Sequence, residues 1–422
     1  MNPGLTQEQK ERAFLVFVNP DDADDRLVEE ELEGLVEAAE GEVAGWTRQR
    51  IERPYKATYL GKGKVEEVTS AAAELEADFI VVDRELSGIQ IRNLEEATER
   101  RVIDRTALIL DIFARRARTR EGQLQVEYAQ LNYRLPRLMS VYTKFERQRG
   151  GIGMRGPGET KLESDRRMIQ DRLAYLKREI DGVRRHREVQ RSGRARQDHP
   201  SVSLVGYTSA GKSTLMNAMC GTDLLADAMP FATLDPTTRQ VNFADGYSFF
   251  LTDTVGFIRQ LPTFLVAAFR ATLEEVKQAD LLLHIIDLAD PAWETHRDTV
   301  LDTLKQLDAD EVPRLTVFNK IDQVDRSEVT RAVAEWAPAV AVSALKGEGL
   351  EELQHRILEA LRSRLTRITA LLPYEQTGLV EGCYRHGQVK TLDYRDDGIY
   401  IEAELDAAHS ARVRPYTVAE EE

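Results

Sequence analysis

The run GYTSAGKST at 206–214 sets two glycines, a lysine and two hydroxyls at the spacing G-x-x-x-x-G-K-S/T of a phosphate-binding loop. An apolar, strand-like run, SVSLV, precedes it, and a helical run, LMNAMC, follows it. In that context the backbone along Gly206, Tyr207, Thr208, Ser209, Ala210, Gly211, Lys212, Ser213 and Thr214 is expected to surround phosphates at a helix N-terminus. Lys212 should reach the β- and γ-phosphates as a catalytic group, and the Ser213 hydroxyl should bind Mg²⁺.

Four more strings follow in order. FATLDPTTR (231–239) offers Thr233 as a mobile metal ligand and catalytic group, with Phe231, Ala232, Leu234 and Asp235 expected beside the same nucleotide. DTVG closes a strand: Asp253 enters the Mg²⁺ shell, Thr254 and Val255 line the phosphates, and the Gly256 N–H meets the γ-phosphate as a third catalytic group. In NKID, Asn319 braces the loop, Lys320 and Ile321 lie along the base, and Asp322 can accept both guanine N1–H and the 2-amino group. In SAL, Ser343, Ala344 and Leu345 can present a backbone N–H to guanine O6. Each string alone would be a surface loop by default. Five of them in this order, on strand ends, specify a site for GTP and GDP. The residue after DTVG is Phe257, where Ras-type GTPases carry the glutamine that orients the attacking water. A phenylalanine cannot hold that water, so slow unaided hydrolysis is expected.

A second glycine pattern competes for attention. Gly151, Gly153 and Gly156 in GGIGMRGPGET spell G-x-G-x-x-G, but the preceding TKFERQR is no buried strand, so a dinucleotide site is not expected there.

The elements that must carry these residues can be read from periodicity. Residues 1–118 read as a small α/β domain with parallel strands: FLVFV (14–18), a stretch around EVAGWTRQ, and DFIVVD (78–83), separated by the helical runs DRLVEEELEGLVEAAE and KVEEVTSAAAELEA. Its GKGK (61–64) reads as a surface turn. Over 119–196 the period changes. Leu124, Tyr128, Leu131, Leu135, Leu138, Tyr142 and Phe145 step by four and three, and so do Ile169, Leu173, Leu176, Ile180 and Val183. Two such seams joined by one glycine-rich turn predict an antiparallel helical hairpin with GGIGMRGPGET at its tip and a kink at Pro136. The polar run RRHREVQRSGRARQDHP (184–200) marks the next boundary. Residues 197–364 resume strand–helix alternation as a P-loop GTPase domain, a mixed, mostly parallel sheet with helices on both faces. Residues 365–422 read as a small β-containing domain, with two strands around an Asp-Gly turn.

The 422 residues carry a net charge of −15, but unevenly: +11 over residues 101–200, between −12 before and −14 after. A basic segment of this kind is either a solvated helical face or an arm for a polyanion. The two cysteines are far apart, and the seven histidines show no metal-ligand spacing, which predicts a reducing cytoplasm and no zinc site. No apolar run approaches the roughly 18 residues that span a bilayer, and MNPGLTQEQKER lacks a signal core, so neither a membrane span nor export is expected.

Taken together, EGQLQVEYAQLNYRLPRL, GGIGMRGPGETKLESDRR, GYTSAGKST, FATLDPTTR and DTVGFI closely resemble the HflX family of ribosome-associated GTPases. The resemblance covers the arm and the GTPase domain with high specificity, the N-terminal domain moderately and the tail weakly. It implies a GTPase that binds the large ribosomal subunit and its rRNA, inserts the arm toward the peptidyl-transferase centre, and dissociates stalled ribosomes under stress; a monomer is expected. The glycine run then suits close backbone approach to folded RNA, with Gly151, Gly153, Arg155 and Gly156 as contacts. Ser209 departs from the family, which has asparagine there, so potassium activation is not carried over. Two other readings compete: a regulatory GTP-dependent switch binding a protein or membrane partner, and an RNA remodeller acting through the N-terminal domain.

Overall fold

Strand β1 (Arg12–Val18) buries six of its seven residues, which requires a sheet covered on both faces. In the computed structural model, which describes residues 10–18, 25–147, 157–195, 199–221, 229–243, 247–260, 262, 265, 275–362, 366–405 and 407–418, β1 sits inside the first sheet. It pairs in parallel with β2 (Glu42–Gln49) and β3 (Phe79–Val82), and β4 (Arg101–Asp104) extends the sheet beyond β3. Helices α1 (Asp25–Ala38), α2 (Lys62–Glu74), α3 (Gly88–Thr98) and α4 (Arg105–Arg116) alternate with these strands. The α/β alternation of the sequence is therefore present. The stretch from α3 to α4 carries no element in the sequence reading, because β4 has only four residues, two of them buried, in a highly charged setting.

Helices α5 (Arg120–Arg147) and α6 (Pro157–Ala195) run antiparallel, as the ion pairs Arg120–Glu179 (2.9 Å) and Arg172–Glu127 (2.7 Å) show. Helix α5 continues through Pro136. On α6 the seam residue Leu176 is fully buried while Ile169, Leu173, Ile180 and Val183 are half-buried, and on α5 Leu124, Tyr128 and Leu131 are likewise half-buried. Among the described residues the buried positions of α5 are Glu121, Gly122, Gln125, Val126 and Ala129, because this helix also packs on α3 and α4. A single four-three seam describes only one of its two faces. The second face is pinned by Asp104, a carboxylate with no exposure. Asp104 accepts from Ala107 N (2.8 Å), Leu86 N (3.1 Å), the Tyr133 hydroxyl (2.8 Å) and Arg137 Nη2 (2.9 Å). Four donors offset the cost of burying that charge. Burial and the neighbouring Asp104 carboxylate together push the Tyr133 hydroxyl far above its ordinary pKa. Gly151, Gly153, Arg155 and Gly156 lie outside the described residues.

The second sheet is built from β5 (Ser201–Gly206), β6 (Thr237–Asn242), β7 (Ser248–Asp253), β8 (Leu281–Asp287), β9 (Arg314–Asn319) and β10 (Ala339–Ala341). Their order is β10-β9-β8-β5-β7-β6, parallel except for β6, which runs antiparallel to β7 at the edge. This is the mixed, mostly parallel sheet of a P-loop GTPase. Helices α7 (Lys212–Cys220), α8 (Trp293–Gln306), α9 (Arg326–Glu335) and α10 (Leu350–Arg362) complete it around a core that includes Leu204, Phe249, Leu251, Leu283 and Ile357. The chain then forms an antiparallel sheet, β11 (Thr366–Leu372), β13 (Gly398–Leu405) and β12 (Gly387–Arg395) in that order, with helices α11 (Thr377–His386) and α12 (Ala407–Val413). The β12–β13 pair is the expected hairpin; β11 and the two helices are additional.

The described residues divide into two compact units. One takes those within 1–186, 227–235 and 259–271; the other takes those within 187–226, 236–258 and 272–422.

Candidate nucleotide site

In an open α/β sheet, ligands bind beyond the carboxyl ends of the strands. Four of the predicted strings sit there in the second unit: after β5, β7, β9 and β10. Between β5 and α7 the chain turns at Gly211, whose φ of +92° favours glycine. A Cβ at Gly211 would also stand 2.2 Å from Asn319 Nδ2.

Lys212, the first residue of α7, is buried, and its ammonium donates to the carbonyls of Gly206 (3.2 Å) and Tyr207 (2.8 Å). Burial pulls its pKa down to about 8, against the opposing pull of the Asp253 carboxylate. Nucleotide phosphates need this group charged. Above about pH 8 the free protein must therefore take up a proton to bind. Affinity for GDP is expected to be flat from about pH 6 to 7.5 and to fall by up to about tenfold per pH unit above 8. Titration with a fluorescent GDP analogue measures this, and constant affinity to about pH 9.5 would contradict it.

The Ser213 hydroxyl donates to Asp253 Oδ2 at 2.6 Å, and Asp253 is 1% exposed. Two of the three predicted metal ligands, Ser213 and Asp253, are thus side by side. Asn319 performs the bracing expected of it: its Nδ2 donates to Ala210 O (2.9 Å), and its Oδ1 accepts from Ala344 N (3.0 Å), tying the phosphate loop to the SAL turn. Asp322 accepts from the Ser343 hydroxyl at 2.7 Å, with Lys346 Nζ at 3.6 Å. The Ser343 hydrogen bond holds the Asp322 carboxyl below its usual range. Leu345, two residues after Ser343, is 78% exposed.

The Phe257 side chain is 2% exposed, and its backbone straps the phosphate loop: Phe257 N donates to Gly206 O (3.1 Å) and Thr208 N to Phe257 O (2.8 Å). Several participants carried no motif signal. Lys320 Nζ is held by Asp287 Oδ2 (2.5 Å) at the end of β8. Asp290 pairs with His296 (3.3 Å), whose ring stacks on Tyr207 at 3.8 Å. An Asp-x-x-Asp spacing is the only trace of this in the sequence. Phe231, Ala232, Thr233, Leu234 and Asp235 fall in the first unit, where Asp235 engages the start of α5.

Comparison with known proteins gives four consecutive family matches. They are described as GTP-binding GTPase N-terminal (residues 28–114), GTP-binding GTPase Middle Region (116–194), 50S ribosome-binding GTPase (201–320) and HflX C-terminal domain (328–414). The chain is 45% identical over 398 residues to a protein named GTPase HflX of Lacrimispora saccharolytica, covering 94% of each chain. It is 42% identical to the GTPase HflX of Escherichia coli, covering 93% of this chain and 92% of that one. Among solved structures, a GTP-binding protein of Sulfolobus solfataricus in complex with GDP aligns with a TM-score of 0.44 and 24% identity, over 84% of this chain and 99% of that one.

Proposed function

The chain belongs to the HflX family of GTPases and hydrolyses GTP, and from that premise we propose that it works on ribosomes, binding the large subunit and dissociating stalled particles. The observation that carries this reading is the segregation of charge. An acidic protein concentrates its positive charge, +11 over residues 101–200, in the segment that contains the arm. Arginines and lysines that displace condensed counterions supply most of the sequence-independent affinity for nucleic acid. The description of the family matched at 201–320 names the same partner, the 50S subunit.

At the nucleotide, the adjacent Ser213 hydroxyl and buried Asp253 carboxylate fit a hard cation that prefers oxygen ligands, and Mg²⁺ would be held there; the sequence pattern adds Thr233 as a further ligand. When bound, the ion neutralises charge on the phosphates. Lys212 binds the β- and γ-phosphates, the Gly256 N–H meets the γ-phosphate, and Asp322 selects guanine. Phe257 gives the attacking water no polar group, so the protein alone turns over slowly and the ribosome completes the arrangement. No described helix is long and apolar enough to cross a membrane; the two lone cysteines suit the reducing cytoplasm in which ribosomes work.

The test is GTP turnover with and without purified large subunits. Stimulation on the order of 10²-fold is expected, by analogy with GTPases completed in trans, and it should fade as salt rises. Fast turnover by the protein alone, or none added by the subunit, would contradict the proposal.

A further inference from the structure

Asp235 ends the run FATLD, two residues after Thr233. Its Oδ2 accepts the N–H groups of Arg118 (2.9 Å) and Thr119 (2.8 Å), and its Oδ1 accepts the Thr119 hydroxyl (2.5 Å). The Thr119 oxygen in turn accepts the Gly122 N–H at 3.0 Å. Threonine and aspartate together therefore cap the first turn of α5, where a helix leaves N–H groups without internal partners and favours negative charge. Gly122 provides the clearance: a Cβ there would lie 2.4 Å from Asp235 Oδ1. At the other end of the run, Phe231 takes left-handed backbone, φ +58°, and sets its ring edge-on to Phe113 of α4 at 4.7 Å. Thr233 thus lies between two anchored neighbours, one on α4 and one on the arm helix.

We propose that Thr119 and Gly122 of the arm are positioning residues of the GTPase reaction, holding Asp235 and through it setting the place of Thr233. The inference rests on the reading of Thr233 as a ligand of the metal and γ-phosphate region. Neither Thr119 nor Gly122 belongs to the candidate nucleotide loops. They act because a short backbone segment fixed at both ends leaves its middle residue few alternatives, and pre-organisation of that kind appears in the rate rather than in product affinity. The same segment then transmits in both directions: what displaces the first turn of α5 is felt at Thr233.

The experiment measures single-turnover GTP hydrolysis and GDP affinity for the full chain carrying Gly122→Ala, Thr119→Val, Thr119→Ser or Thr233→Ala. Alanine is a better helix former than glycine, so Gly122→Ala displaces the Asp235 carboxylate without weakening α5, and thermal melting checks that the fold is kept. Gly122→Ala and Thr119→Val should each slow hydrolysis about tenfold, as misplacement of a reacting group does. GDP affinity should stay within about twofold, and Thr119→Ser, which keeps the hydroxyl, should restore the wild-type rate. Unchanged or faster hydrolysis in both variants, or failure of serine to rescue, overturns the inference. Should Thr233→Ala be slow while Gly122→Ala and Thr119→Val match wild type, only the inference fails. Should Thr233→Ala itself hydrolyse normally, the reading of Thr233 fails and takes the inference with it.

Discussion

Replacing Asp322 by asparagine is expected to shift base preference from guanine to xanthine by a factor of about 10³ or more. Guanine presents two donors, N1–H and the 2-amino group, and the ionised carboxylate offers two acceptors at fixed places. The Ser343 hydroxyl at 2.7 Å orients that carboxylate and keeps its pKa low, so it is fully charged at neutral pH. Asparagine keeps the shape but turns one acceptor into a donor, which opposes the 2-amino group and matches the carbonyl of xanthine. A site built around hydrogen bonds rejects the wrong partner strongly, because the mismatch leaves polar groups unpaired. Asn319 keeps its ties to Ala210 and Ala344 in the variant, so the phosphate loop is unaltered and xanthosine triphosphate should be hydrolysed. Competition between GDP and xanthosine diphosphate reads the switch. Retained preference for GDP would remove Asp322 from base recognition.

The nucleotide site was legible because phosphate and guanine chemistry fixes residue types as well as spacing. Lys212, Asp253, Asn319 and Asp322 have no substitutes that do the same work, Ser213 has only threonine, and short loops on neighbouring strand ends bring them together. Strands such as β1 and β8 were legible for another reason: a strand buried on both faces is a continuous apolar run. Where burial is partial the signal fades. Strand β6 is an edge strand with two of its six residues half-buried and three exposed, and β4 is four residues long. Helix α5 serves two neighbours, so one periodic seam could describe only half its packing, and the buried polar Gln125 interrupts the other half. Asp235 reads as a nucleotide-lining residue by position, yet its described partners are the backbone of Arg118 and Thr119 and one hydroxyl. Backbone N–H groups leave no mark in a sequence. The same holds for the hold of Asp287 on Lys320, since a half-buried Asp–Lys pair has no distinctive spacing.

Replacing residues 151–158 with a short neutral linker is expected to abolish ribosome dissociation and to leave unaided GTP hydrolysis as it was. The nucleotide loops after β5, β7, β9 and β10 all lie in the second unit, so the linker removes nothing from them. What it removes is four glycines between 151 and 158 and Arg155, a stretch of small side-chain bulk that lets backbone N–H groups approach phosphates and bases closely. Recognition of folded RNA by shape depends on such approach. The basic residues that flank the tip on α5 and α6 remain, so weakened, salt-sensitive binding to ribosomes should persist. The most direct measurement is a sucrose gradient of intact ribosomes incubated with GTP and either protein. The account predicts free subunits with the wild-type chain and undivided ribosomes with the linker variant. Ribosomes left whole by the wild type, or split equally well by the variant, would contradict it.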